Sequence, residues 1–241
     1  MATLDLINIS HPPVQLNTPA GRAYEVENGN LYPSVSTVLS VIQNPELEKW
    51  KKSVGPEVAA KISKIATDSG TLVHNSIESY LLGEKVRFTE FEQSEKDMFG
   101  TVVPFLESLD EVICLETSLW SDTIGLAGTI DCCARIGDTY FVIDWKTSKV
   151  PKNRADIQHY FMQAAAYSLM IYERTGRKIA ANRLQIVMMV QETCELLTFC
   201  EPVKPHLESF IQLKKQYNIS DKAKDLDEQC KKLYNKPLSL L

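Results

Sequence analysis

The sequence predicts an α/β fold, a central mixed β-sheet flanked by helices with further helices at both ends of the chain, and three observations carry that expectation. The residues on either side of Gly137-Asp138 alternate at period two, as the strands of a hairpin do. The segment from about His159 to Arg174 is strongly apolar and of helical length, and two shorter runs, about Arg183 to Gln191 and Glu195 to Cys200, follow it as strands. A chain of 241 residues, 44% hydrophobic and 24% charged, can bury a substantial core of this kind.

Residues 1 to 30 read as an extended arm, because Pro12, Pro13 and Pro19 forbid a regular helix there. From Ser34 or Ser36 the chain turns helical through Val41, and a second helix starts near Asn44 with Pro45 at its first position. Lys49, Lys51, Lys52, Lys61 and Lys64 make this lobe basic, as a solvated face or as a phosphate contact. A third helix begins near Asp68 or Ser69 and stops at Gly83, with His74 and Glu78 one turn apart on the face of Gly70 and Leu81. Residues 90 to 109 read as a helix kinked or broken near Pro104. Val112 to Trp120 is the strand before the hairpin, with Glu116 in its middle. A loop from Lys149 to Asp156 then brings Lys149, Lys152 and Arg154, and Pro205 to Tyr234 forms two amphipathic helices with lysine-rich faces. Without repeat or low-complexity linker, the chain reads as one domain: an arm and helical lobe over 1–68, a core over 69–200 and C-terminal helices over 201–241.

In a hairpin with a two-residue turn, Asp131 faces Asp144, Thr129 faces Lys146, Cys133 faces Val142 and Arg135 faces Tyr140 on one side. The other side pairs Ile130 with Trp145, Cys132 with Ile143 and Ala134 with Phe141, an apolar wall for the core. Two acids with Cβ atoms roughly 5 Å apart repel unless something positive lies between them. Lys146 and water on a solvated face are one answer, and a divalent cation is the other.

The pair Gly128-Thr129-Ile130-Asp131 and Asp144-Trp145-Lys146 resembles the PD-(D/E)XK nuclease motif. Gly70-Thr71-Leu72-Val73-His74, followed by Ile77-Glu78, looks like the upstream histidine motif of RecB-type nucleases, and Gln163-Ala164-Ala165-Ala166-Tyr167 looks like their Q-x-x-x-Y helix. Tyr32-Pro33-Ser34-Val35-Ser36, Trp50-Lys51 and Val142 to Ser148 extend the resemblance to the branch formed by the mitochondrial genome maintenance exonucleases and their phage and bacterial relatives. That resemblance implies a restriction-endonuclease-like core and metal-dependent hydrolysis of DNA. Asp131, Asp144 and Lys146 would be catalytic, and His74, Asp131, Asp144 and the Trp145 carbonyl would hold the metal. Ser34, Ser36, Trp50, Lys149, Gln163 and Tyr167 would contact the substrate.

The chemistry asks for these residue types. Hydrolysis of an anionic phosphodiester needs a cation to polarise the phosphoryl oxygen and acidify the attacking water. Hard oxygen donors suit magnesium, and an imidazole in the set means that manganese should be accepted too. Lys146 could act as a base with a metal-lowered pKa, or orient water and stabilise the transition state as an ammonium. Gln163 and Tyr167 lie one turn apart on a helix and serve the DNA backbone, buttress the lysine, or satisfy the interior. Glu78 and Glu116 are expected to orient ligands rather than bind metal.

The leading expectation is a magnesium-dependent exonuclease that acts on single-stranded DNA from free ends during replication, repair or recombination. It would work as a monomer, with a replication or recombination protein as a possible partner. A structure-specific endonuclease on the same core and a non-catalytic DNA-binding subunit are the alternatives. A net charge of −5 argues against an unspecific nucleic-acid coat. The six cysteines form no C-x-x-C pair, and with none before Cys114 the resemblance implies no iron–sulfur cluster. No run approaches the roughly 20 apolar residues of a membrane span. Asp5 and a first basic residue at Arg22 fit neither a signal nor a transit peptide, so a cytoplasmic protein of a bacterial or phage-infected cell is expected.

Overall fold

The computed structural model describes residues 2–89, 91–176 and 178–241. The N-terminal segment is folded rather than an extended arm. β1 (Thr3–Leu4) joins the edge of the main sheet, while β2 (Val14–Thr18), β3 (Gly21–Glu25) and β4 (Leu31–Pro33) form a separate three-stranded antiparallel sheet. The prolines do exclude helix, but Gly29 at φ 83 supplies the tight turn between β3 and β4. Tyr24, Val26 and Tyr32 then pack against Trp120 and Ala127 of the main sheet, which holds the small sheet down.

α1 (Val35–Leu39) is capped by the Ser34 hydroxyl, which accepts from the Thr37 N–H, and α2 (Pro45–Val54) is capped by Asn44 in the same way through Leu47. α3 (Pro56–Leu81) begins twelve residues before its expected start. Pro56 at the first turn after Gly55 is the actual boundary, and Asp68 is an interior residue whose carboxylate pairs with Lys64 at 2.7 Å across one turn. The helix thus runs unbroken through the 68/69 boundary. α4 (Gln93–Glu107) passes through Pro104 without ending there. Glu90, the expected first residue of that helix, lies outside the described residues.

β5 (Glu111–Ser121), β6 (Leu126–Ile136) and β7 (Thr139–Ser148) follow as an antiparallel meander. α5 (Gln158–Arg174) crosses over to β8 (Arg183–Val190), parallel to β7, and β9 (Glu195–Pro202) returns antiparallel. The main sheet runs β1-β5-β6-β7-β8-β9, and α6 (Val203–Asn218) and α7 (Asp221–Tyr234) close the chain. One face is sealed by α5, whose Phe161, Ala164, Ala165 and Met170 meet Cys133, Val142 and Ile186. The other is sealed by α3 and α4, with Val73, Ile77, Phe99 and Val102 against Cys132, Ile143 and Trp145. Each large aliphatic side chain so buried contributes about 1.5–3 kcal/mol.

The hairpin register holds at its turn end, with Ile136 opposite Thr139 around Gly137 at φ 60, and continues to Cys132 opposite Ile143. The expected pairing fails beyond that point. No ladder pairing joins Asp131 to Asp144, Ile130 to Trp145 or Thr129 to Lys146, because β6 stays with β5 there while residues 144–148 of β7 pair with β8. Both faces of the hairpin are covered here: Cys133 and Val142 are as buried as Cys132 and Ile143. Alternation itself breaks at this level, since Ile130 joins the α5 side and Cys132 the α3 side although they are two apart. In β5, Leu115 and Leu119 likewise lie on opposite sides, with Glu116 between them at φ 43.

Candidate active site

The divergence of β6 and β7 opens a wedge that polar side chains fill. The Trp145 backbone N–H donates to Asp131 Oδ2 at 2.9 Å, so the acid replaces the missing ladder bond. His74 enters from α3, which approaches β7 closely because Gly70 has no side chain: a Cβ there would stand 3.2 Å from Thr147 Oγ1. His74 Nε2 lies 3.0 Å from the Trp145 carbonyl oxygen, which can only accept, so Nε2 carries the proton. Nδ1 is thereby turned toward Glu116 Oε1 and Asp131 Oδ2, each 3.9 Å away.

Three donor atoms, on His74, Glu116 and Asp131, consequently lie within 4.8 Å of one another. Lone pairs aimed at one another repel unless a proton or a cation sits among them. Burial disfavours the imidazolium, yet the nearby carboxylates of Glu116 and Asp131 outweigh it and raise the His74 pKa. The same field would hold a divalent cation, and an imidazole with two carboxylates suits magnesium or manganese. Glu116, expected to orient ligands, thus offers an oxygen at the cluster itself, and it stands there on a left-handed backbone, φ 43, within a strand. The Trp145 carbonyl, expected as a ligand, is already engaged by His74. Glu78 stands farther out, its carboxyl raised by burial and by the charge of Glu116.

Asp144 is buried beside the cluster, and Lys146 Nζ lies 2.6 Å from its Oδ2. Burial pushes the Asp144 carboxyl up to about 6, against the pull of Lys146 and with the help of Asp131. Burial works against the Lys146 charge, but Asp144 and Asp131 more than compensate and raise its pKa. The ammonium also lies 5.0 Å from the centroid of the Tyr160 ring. In the field of these two acids Lys146 is held as the ammonium.

Next to the acids lies a small cavity of about 190 Å³ that gathers four of the expected substrate residues, Ser34, Ser36, Gln163 and Tyr167. The hydroxyl end of Tyr167 lies against Gly128, where a Cβ would come within 2.7 Å of the hydroxyl, so the glycine of the Gly-Thr-Ile-Asp run is a steric requirement. Burial, then the charge of Asp131, holds that hydroxyl protonated and able to donate. The sequence reading missed Arg22, which also lines this cavity and donates from Nη2 to Ser36 Oγ at 2.7 Å. A single arginine carries no pattern; only Gly21, where a Cβ would strike Thr37 at 2.9 Å, hints that β3 lies tight against α1. Trp50 and Lys149 do not line this cavity. Trp50 is half-buried on α2, and Lys149 is exposed with Glu192 3.7 Å away. Arg154 pairs with Glu201, and Lys152 donates to the Tyr160 hydroxyl at 3.1 Å. Thr129 bonds to Ser118 and Tyr24, not toward Lys146.

Acids and a lysine in the cleft of a helix-flanked mixed sheet define a class of phosphodiester-cleaving folds, and residues 83–237 match the family model described as PD-(D/E)XK nuclease superfamily. The chain belongs to that superfamily. Its similarity extends to mitochondrial genome maintenance exonuclease 1 of Homo sapiens, 30% identical over 61% of this chain and 44% of that protein. The Mus musculus protein of the same name is 28% identical over 51% of this chain and 39% of its own length. The chain thus spans less than half the length of these curated relatives. A solved structure, that of SSO0001, aligns at a TM-score of 0.39 and 15% identity over 76% of this chain and 73% of that one. Among the described residues no helix is long and apolar enough to cross a membrane.

Proposed function

We propose that this protein is a divalent-metal-dependent DNA nuclease, acting as an exonuclease on single-stranded DNA from free ends in replication, repair or recombination. The observation that carries the reading is the convergence of His74, Glu116 and Asp131 beside the Asp144–Lys146 pair. A divalent cation held by those three, with Asp144 alongside, would polarise the phosphoryl oxygen and lower the pKa of water there. Lys146, fixed by Asp144, presents its ammonium to the charge that develops on the phosphate. Arg22, Ser36, Gln163 and the Tyr167 hydroxyl offer donors to the phosphate oxygens of the same strand. The names of the similar human and mouse proteins, both exonucleases, support end-directed cutting. Magnesium as the working metal, a monomeric enzyme and a single nuclease unit over 1–241 belong to the same proposal.

The test is digestion of end-labelled linear and closed circular single-stranded DNA in magnesium. Loss of the linear strand with survival of the circle is expected. Rapid cutting of the circle would replace the exonuclease by an endonuclease.

A further inference from the structure

A second cavity, of about 400 Å³, lies along the turns of α3 that precede His74 and against Thr147, the residue after Lys146 on β7. Its side wall is Ile62 and Ile65, 45% and 60% exposed, and Met98 lies buried at its base. The rim is polar: Ser69, the exposed carboxylate of Glu92, Thr147 to Lys149 next to the candidate active site in sequence, and Gln191 just after β8. Into this apolar setting α4 delivers Glu95. The residue is only 7% exposed, and its Oε2 is sealed from solvent without a hydrogen-bond partner. Neither oxygen accepts a hydrogen bond among the described residues. A carboxylate left that way is costly, and a purely structural role would have given it a partner.

We infer that this cavity is a nucleobase pocket and that Glu95 reads guanine. The inference rests on the nuclease reading above, which brings a strand past Lys146. Walls that are mostly apolar, with polar groups at the exposed rim and one buried carboxylate, Glu95, inside, fit a heterocycle that stacks on its faces and donates from its edge. A carboxylate only accepts, and guanine is the one standard base whose Watson–Crick edge presents two adjacent donors, N1–H and the N2 amine. The terminal torsion of a glutamate is soft, so both oxygens can turn to that edge. Adenine and cytosine offer one amine beside a ring acceptor that a carboxylate repels, and thymine flanks its single N–H with carbonyls. Lys149 at the rim is placed for the phosphate of the same nucleotide. A site that loses its partner when the wrong base enters discriminates far more sharply than an apolar slot.

Titration of the full-length protein in EDTA with each of the four deoxynucleoside monophosphates tests the pocket apart from any cleavage. At least tenfold tighter binding of dGMP than of dTMP is expected, and Glu95→Gln should bring the ratio near one. Ile65→Ser, at an exposed position that leaves folding intact, should weaken dGMP. Glu95→Met should raise the thermal midpoint by about 2–4 °C, as removal of an unpaired buried carboxylate does. Equal binding of the four nucleotides, or a midpoint lowered by Glu95→Met, overturns the inference. Selective dGMP binding by a protein that cuts no DNA would uphold the pocket and remove the nuclease reading. Cleavage without nucleotide selectivity would do the reverse.

Discussion

At the scale of single residues, the site is built from positions where the backbone or a missing side chain does something unusual. Gly128 is one of them. Its Cα lies against the hydroxyl end of Tyr167, so Gly128→Ala must displace Tyr167 and is expected to cost about 1–3 kcal/mol, with loss of nuclease activity. Tyr167→Phe removes the closest atom, and the penalty of the alanine should shrink in that background; denaturant unfolding of the four proteins of the cycle measures it. Glu116 is the second such position. At φ 43 any L side chain is strained, so Glu116→Gly should be about 1 kcal/mol more stable than Glu116→Ala, while both lose manganese affinity by calorimetry. Equal stability of the two variants would remove the strain argument. Lys146→Ala should reduce cleavage of end-labelled DNA by at least about a thousandfold and leave DNA affinity within a few-fold, because its ammonium acts on charge that develops only in the transition state.

At the scale of elements, the parts legible in sequence were those whose signal is local. The Gly137 turn, the caps Ser34 and Asn44, the alanine-rich α5 and the two helices after Pro202 each announce themselves within a few residues. Asp131, Asp144, Lys146 and His74 were legible as a motif, and the structure brings them together. What was hidden depends on partners far away in the chain. The start of α3 was lost because Asp68, a good cap by type, is used for a pair with Lys64. The wedge between β6 and β7 depends on which neighbour each strand follows, and alternation alone says nothing about that. Arg22 and Glu116 needed the small sheet and a local break in β5 to reach the site. One element carries a feature unrelated to the site: Lys214 on α6 is 3% exposed, and among the described residues its ammonium donates only to Asn218 Oδ1, at 2.6 Å. Burial lowers its pKa from 10.5 to about 8. Between those values the unfolded chain keeps the proton that the folded protein has lost, so this residue makes stability rise with pH across that window. Below it the buried charge is a constant penalty. Lys214→Met should therefore stabilise the protein by about 1–3 kcal/mol at pH 7 and flatten the rise of its thermal midpoint between pH 8 and 10.5.

At the scale of the whole molecule, the two ends of the chain are tied to each other, and the tie leads to the site. The last residues return over the small N-terminal sheet: Leu238 bridges Leu31, the Ser239 N–H donates to the Leu31 carbonyl at 2.7 Å, and Lys236 pairs with Glu25. The Tyr234 hydroxyl donates to the Asn17 carbonyl at 2.8 Å on the neighbouring strand. That sheet holds Arg22 on β3, and directly after β4 stands Ser34, which bridges Ala127 next to Gly128. The C-terminal segment thus braces the wall of the cavity that opens on Asp131, although none of its residues lines that cavity. Removal of residues 235–241 takes away three of these four ties, the buried Leu238 contact among them, at a cost of about 1.5–3 kcal/mol. For a chain of this size that corresponds to a fall of the thermal midpoint of about 4–10 °C. Well below that midpoint the core sheet with Asp144 and Lys146 stays folded, whereas Arg22 and Ser34 lose their support. The truncated protein should accordingly lose DNA affinity more than turnover, read as KM rising while kcat holds within a few-fold. An equal loss in kcat at a temperature where the protein is folded would mean that the small sheet supports the reacting groups themselves, and the division of labour between cavity and acids would have to be redrawn.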